Sequence, residues 1–436
     1  MKYYSTKNKN LSADFRTAVI HGIADDGGLF MPETIPQLPA GIIDSLHSQS
    51  LQEIGMQVVS RFAGDIEQST LLKIIEQAIN FEAPVKTLSQ SLSILELFHG
   101  PTLAFKDFGA RFLANSMAYF NKDEDKELII LVATSGDTGS AVASSFYGKQ
   151  GIKVGLLYPS GMVSQIQEKQ LTTMGNNIKA FEIEGTFDDC QRLVKTAFLD
   201  KHIKSKFNLS SANSINIARL LPQSFYYFYA YGQVKKSLGT TDVIFTVPSG
   251  NFGNLTAGLI AGKMGLPVKK YIAAVNSNTV FIEYLQGGIY KPRSAKKTLS
   301  NAMDVGDPSN FVRIEALYDK DVSKIRERIY SDSATDQDTI ATIKSIHEKY
   351  KYIIDPHGAV GCFVNEKYRK IHPGSAHSIV LETAHPAKFA DCVEPALNMK
   401  VEMPARLAAC LDKEKNALKI SSDFDTFKES LIATMK

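Results

Sequence analysis

From Leu128 onward the chain alternates short unbroken apolar runs with segments in which apolar positions recur every three or four residues. Runs of four to eight apolar residues fit buried strands, whereas the three-to-four spacing marks amphipathic helices. The pattern predicts strands at Leu128–Ala133, Lys153–Tyr158 and Ile178–Ile183, followed in turn by helices at Thr138–Lys149, Ser164–Met174 and Phe187–Lys201. It resumes with strand Asp242–Val247, helix Asn254–Met264 and strand Lys270–Asn276, then with strand Ser378–Leu381 and helix Lys388–Ala396. This alternation predicts an α/β protein with parallel sheets covered on both faces. The first ninety or so residues read as mixed helix and loop, with helical periodicity in Leu51–Phe62 and Leu71–Phe81. Between the two α/β runs lies a long predicted helix, Ile217–Lys236, carrying Phe225, Tyr226, Tyr227, Phe228, Tyr229 and Tyr231. No basic residue interleaves with them before Lys235, so packing between domains is expected rather than base stacking. Segment 286–310, rich in Gly, Ser and Pro, reads as a loop.

Composition narrows the function. At 436 residues two or three domains are expected. Lys+Arg 49 against Asp+Glu 46 leaves a net charge of +3, too little basic surplus to hold a nucleic acid. The longest apolar runs fall far short of a membrane span, and Met1–Ser5 has no apolar stretch of the kind a secretion leader carries. Cysteines 190, 362, 392 and 410 form no CxxC pair, so neither a disulfide framework nor a zinc site is indicated. A soluble protein of the cytoplasm, without membrane or nucleic-acid partner and without a metal, is the expectation.

In open α/β sheets ligands bind where strands end and helices begin. Val247-Pro248-Ser249-Gly250-Asn251-Phe252-Gly253-Asn254 follows a predicted strand and opens a helix, where successive N–H groups form an anion cradle suited to a phosphate monoester. Such a turn alone is equally a plain Gly-rich loop; it is neither a Walker loop nor a GxGxxG fingerprint. Ala133-Thr134-Ser135-Gly136-Asp137-Thr138-Gly139-Ser140 offers hydroxyl and N–H donors to a small carboxylate. Ser135 or Asp137 alone would serve as a helix cap, but this many polar residues exceed what a cap requires. In Gly100–Arg111, Lys106 lies between Phe105 and Phe108 near a helix start, where apolar company and the helix dipole lower an ammonium pKa as a Schiff-base lysine needs. Taken singly, it also reads as a surface lysine lying along an apolar face.

These three stretches, in this order, resemble the fold-type II pyridoxal-phosphate enzymes, and four segments resemble the threonine synthase family within them. They are Ala24-Asp25-Asp26-Gly27-Gly28-Leu29-Phe30-Met31-Pro32, His99–Gly109, Asn213-Ser214-Ile215-Asn216-Ile217-Ala218-Arg219 and Leu381-Glu382-Thr383-Ala384-His385-Pro386-Ala387-Lys388. The resemblance runs from about residue 4 to about residue 395. It implies two parallel-sheet domains of the tryptophan synthase β-like architecture with a mixed N-terminal appendage. The expected division is 1–95 for the N-terminal region, 96–127 for a lysine-bearing segment joining the large domain, 128–205 for a smaller α/β domain and 206–436 for a large cofactor-binding one.

The same resemblance implies that pyridoxal 5'-phosphate is carried covalently by Lys106, that Gly250, Asn251, Phe252, Gly253 and Asn254 hold its phosphate, and that Thr383 faces its ring nitrogen. Thr134, Ser135 and Thr138 match donors to the substrate carboxylate, and Asn213, Ser214 and Arg219 match groups around a substrate phosphate. Asp137, taken as the contact to the cofactor's ring oxygen, stands where many relatives have Asn. Gly358, in Asp355-Pro356-His357-Gly358-Ala359, stands where many have Thr or Ser, and His357 is given no catalytic role. The implied reaction is O-phospho-L-homoserine plus water to L-threonine plus phosphate, by a monomer or homodimer. The rival readings are a serine/threonine dehydratase or another fold-type II lyase, and a non-catalytic homologue that binds phosphorylated metabolites. The second anion site at 213–219 counts against the lyases, and Lys106 beside an intact phosphate loop against the binder.

Overall fold

The computed structural model describes all residues except Ser135, Ser375 and Lys436. In chain order the strands among the described residues are β1 (Tyr3–Ser5), β2 (Ser12–Ala13), β3 (Phe30–Pro32), β4 (Val85–Ser89), β5 (Leu92–Glu96), β6 (Leu128–Ala133) and β7 (Ile152–Pro159). They continue with β8 (Ile178–Glu184), β9 (Asn208–Ser210), β10 (Val243–Pro248), β11 (Val268–Val275), β12 (Ile329–Ser333), β13 (His377–Glu382) and β14 (Ala417–Ser421). They form a three-stranded sheet β2-β1-β3, a six-stranded sheet β12-β11-β10-β13-β5-β4 and a five-stranded sheet β14-β8-β7-β6-β9.

The five-stranded sheet is parallel throughout. β6, β10 and β13 are buried at every position, as strands with helices on both faces must be. The larger sheet is mixed rather than purely parallel, because β4 runs antiparallel to β5 at its edge. The N-terminal sheet is antiparallel.

Sheet membership does not follow chain order. β4 and β5 lie in the N-terminal third of the chain but complete the large sheet, while β9 and β14 lie beyond residue 206 yet pair inside the smaller one. Hydrogen-bond partners decide which sheet a strand joins, and chain order does not record them. The predicted helix Ile217–Lys236 is a turn of α-helix (Ile217–Leu220), a 3-10 turn (Leu221–Ser224) and a longer helix (Phe225–Leu238). Pro222 is the cause: it lacks the N–H a continuous helix needs.

The aromatic residues of that helix are core. The Tyr226 ring meets Phe108 edge-on at 5.2 Å, and Tyr227 meets Phe245 of β10 at 4.9 Å. They fill the space between the helix Lys106–Asn121 and the large sheet, behind the strand ends where the site lies. Among the described residues no helix is long and apolar enough to cross a membrane.

Candidate active site

Lys106 is the first residue of the helix Lys106–Asn121, and three constraints fix it there. The backbone N–H and hydroxyl of Thr102 donate to the two carboxylate oxygens of Asp107, both at 2.8 Å. Phe105 N donates to Thr383 O at 2.9 Å and His385 N to Leu103 O at 3.1 Å, so the segment before Lys106 pairs with the segment after β13. That pairing sets Lys106 beside Thr383, whose hydroxyl makes no hydrogen bond to the described residues. Finally, a Cβ on Gly109 would stand 2.5 Å from Arg219 O. Only glycine lets the backbone at Arg219 press against the first turn of the Lys106 helix.

The loop between β10 and the helix Gly253–Lys263, the candidate phosphate cradle, lines the same cleft. The N–H groups of Gly250, Asn251 and Phe252 donate to no described residue, and the helix adds the unpaired donors of its first turn. Asn251 braces the loop: its Oδ1 accepts from Ser309 N at 2.6 Å and its Nδ2 donates to Ser214 Oγ at 2.6 Å. Tyr227 Oη donates to Asn254 Oδ1 at 2.8 Å and Tyr226 Oη donates to the same oxygen. Two donors on the carbonyl leave the amide nitrogen free, and Asn254 Nδ2 is buried without a partner.

Arg219 is 1% exposed. Its Nη1 donates to Ala212 O at 2.6 Å, while Nε is buried and unpartnered. Burial lowers its guanidinium to about 10, opposed by Asp107, so it stays charged at neutral pH. Asn213 and Ser214 are half-buried in the same cleft, with Ser214 joined to the phosphate loop through Asn251. Burial of Lys106 in this crowded wall pushes its ammonium down to about 8, with Asp137 opposing and the cations of Arg219 and Lys388 assisting.

Thr134, Asp137 and Thr138 line the cleft as well, together with Lys106, Asn213, Ser214, Arg219, Gly250–Asn254 and Thr383. Ser135 falls outside the described residues. Two of these residues are bonded within the chain. Thr134 Oγ1 accepts from Gly136 N at 3.1 Å and Gly139 N at 2.9 Å and donates to Gly136 O, so its hydroxyl braces the start of the helix Asp137–Phe146. Asp137 is not free either. Its Oδ1 is ion-paired at 2.6 Å with Lys388, which carries no role in the sequence reading. Although burial raises it, the neighbouring Lys388 and Lys106 hold the Asp137 carboxyl well below the usual carboxylate range. Sequence reasoning also passed over Ala24, Asp25 and Gly27 of the N-terminal motif, which line the cleft.

The glycine at 358 has a local cause. A Cβ there would overlap Glu382 Oε2 outright. Glu382 is fully buried and accepts from Asp355 N at 2.6 Å; burial and the nearby Asp355 carboxylate push it well above the usual range, toward the neutral acid. His357 is held on both ring nitrogens, by Ala302 N at 3.2 Å and Asp355 Oδ2 at 3.3 Å. Gly358→Ala is therefore expected to lower the unfolding free energy by about 1–3 kcal/mol through overpacking. Urea titration should show the loss shrinking sharply when Glu382 is already Ala, because the two positions compete for one space.

The donor set fits pyridoxal 5'-phosphate: a lysine of lowered pKa, a cradle of unpaired N–H groups with the orphaned Asn254 amide, and an uncharged hydroxyl at Thr383. The cleft, of ≈ 1960 Å³, exceeds the ~300–1,000 Å³ of a single small-ligand site and has room for cofactor and substrate together. Gly253→Asp tests the cradle. A Cβ at Gly253 meets nothing nearer than Asn310 Nδ2 at 3.4 Å, so the variant is expected to fold. Its carboxylate should expel the cofactor phosphate, and the purified protein should be colourless; full cofactor content would show the phosphate lies elsewhere.

Comparison with known proteins gives the same direction. Residues 2–79 match the family "Threonine synthase N terminus", 82–381 "Pyridoxal-phosphate dependent enzyme" and 358–431 "Threonine synthase, C-terminal". The chain is 41% identical to the threonine synthase of Escherichia coli (strain K12) over 99% of both chains. The crystal structure of the Escherichia coli threonine synthase superposes with a TM-score of 0.91 at 40% identity, covering 100% of both chains. The pyridoxal-phosphate-bound threonine synthase of Brucella melitensis superposes with a TM-score of 0.93 at 35% identity, again over 100% of both. With a site built around Lys106 and relatives that match it from end to end, the chain belongs to the threonine synthase family.

Proposed function

We propose that the protein converts O-phospho-L-homoserine and water to L-threonine and inorganic phosphate, with pyridoxal 5'-phosphate on Lys106. The observation that carries this reading is the presence of two anion-binding donor sets in the cleft of one lysine. One is the 250–254 loop; the other is the buried Arg219 with its unpartnered Nε. A lyase acting on unphosphorylated serine or threonine has no use for the second.

Pyridoxal 5'-phosphate, when bound, supplies an aldehyde that condenses with amines and a ring that takes up the electrons left at the α-carbon. Lys106 Nζ, displaced by the substrate amine, takes the α-proton and is the group placed to move protons at the β- and γ-carbons, as the γ C–O bond breaks and water adds at the β-carbon. Its lowered pKa keeps a useful fraction of free amine near neutrality. Arg219 holds the departing phosphate through its planar fork. Thr138 and the start of its helix face the substrate carboxylate. Thr383 offers the ring nitrogen a hydrogen bond but no charge, which weakens the electron sink and favours chemistry set by proton placement.

The reading includes action in the cytoplasm, as a monomer or homodimer. Incubation of the holoenzyme with O-phospho-L-homoserine is expected to release phosphate and threonine in equal amounts, and incubation with threonine to give no keto acid. Keto acid from threonine without phosphate release would replace the reading with that of a dehydratase.

A further inference from the structure

Lys388 lies in the 3-10 turn Pro386–Phe389 that follows β13, and its side chain is 0% exposed. Nζ stands 2.6 Å from Asp137 Oδ1 and donates to Thr102 O at 2.9 Å. One ammonium thereby joins the end of the large sheet, the first turn of the helix Asp137–Phe146 and the loop that leads into Lys106. Gln167 Nε2, 3.3 Å from the same Asp137 oxygen, steadies the carboxylate from a fourth segment.

The charged groups that bear on Lys106 are Asp137, Arg219 and Lys388. Asp107, next in sequence, is turned to Thr102, and His357, which faces Asp137, is held by Asp355 and Ala302. Asp137 is thus the anion of the set. Among the described residues it pairs with Lys388, and no carboxylate lies within 4.0 Å of Lys106.

We propose that Lys388 is a positioning residue that holds Asp137 in an ion pair of its own, withholding that carboxylate from Lys106 so that the lysine can give up its proton and react with the cofactor's aldehyde. In that reaction the free amine bonds to the aldehyde carbon, and the aldehyde oxygen leaves as water with both amine protons. An ammonium locked to Asp137 cannot begin it. The inference rests on Lys106 being the lysine that carries the cofactor.

The test follows the rate at which the full chain, stripped of cofactor, forms its coloured adduct with pyridoxal 5'-phosphate as pH is varied. Borohydride trapping and peptide mass mapping locate the adduct. In the wild type the midpoint is expected at about 8. Lys388→Met should raise it by roughly 1–3 pH units, the effect of an opposite charge left to act at short range. Lys388→Arg should leave it in place, and Asp137→Asn added to Lys388→Met should bring it back to the wild-type value or below. A merely structural Lys388 would slow the reaction at every pH without moving the midpoint.

If Lys388→Met does not fold, Lys388→Gln against Lys388→Gln/Asp137→Asn carries the test, and the midpoint must be lower in the double variant, where no carboxylate is left to face Lys106. An unmoved midpoint, or one that Asp137→Asn fails to restore, overturns the inference. An adduct mapped to another lysine overturns the Lys106 assignment instead, and the mapping tells the two failures apart.

Discussion

Lys106→Ala is expected to yield a folded, cofactor-poor protein with less than about a thousandth of the wild-type turnover, since loss of a general base alone removes roughly 10²–10⁴ and the covalent anchor goes with it. The fold should survive for reasons visible around the residue. Alanine is a better helix former than lysine at the start of Lys106–Asn121, and the positions of Asp107, Phe105 and Gly109 are fixed by bonds and contacts that do not involve the Lys106 side chain. Removing an ammonium from a crowded wall also relieves a desolvation penalty. Circular dichroism and the urea midpoint should match wild type. Small primary amines, admitted to the space the side chain leaves, should restore part of the rate. A variant that keeps more than a thousandth of the activity unaided would remove Lys106 from the chemistry.

Arg219→Ala should have the next largest effect, and a different one. Loss of a charge-assisted contact to a desolvated phosphate costs about 2–5 kcal/mol of transition-state binding, or about 30-fold to several thousand-fold in kcat/KM for O-phospho-L-homoserine. The cofactor should remain bound and yellow, because the 250–254 cradle draws on backbone N–H groups and Asn254, not on Arg219. The pH-rate profile should also move to higher pH, since Arg219 is one of the two cations that lower the Lys106 pKa. A bleached protein would assign Arg219 to the cofactor, and unaltered turnover would place the second anion site elsewhere.

The parts legible in the sequence are those set by local pattern. β6 falls on Leu128–Ala133, where the apolar run predicted a strand. The two polar strand-to-helix turns and Lys106 reach one cleft because parallel sheets bring such turns to the same edge. What was not legible depends on partners distant in sequence. β12, Ile329–Ser333, carries Ser331, Asp332 and Ser333 because it is an edge strand, so it has no apolar run to announce it. The Lys388–Asp137 pair joins residues far apart in the chain, and the only local sign was a lysine set in the apolar stretch Pro386–Phe389. Gly358 reads in sequence as a missing hydroxyl, whereas in the fold the Glu382 carboxyl occupies the space a side chain there would need.

The pairing of β14 with β8 has a consequence for the order of folding. Ala417 sits opposite Ala180, and Phe427, Leu431 and Met435 complete the apolar cluster that contains Ile129, Leu131 and Phe181. The sheet that carries β6 therefore cannot close until β14 has joined it, and β14 is separated from β8 in the chain by strands β10–β13 of the larger sheet. Until then β8 offers an open edge and an uncovered apolar face, which makes this half of the molecule the one exposed to aggregation during refolding.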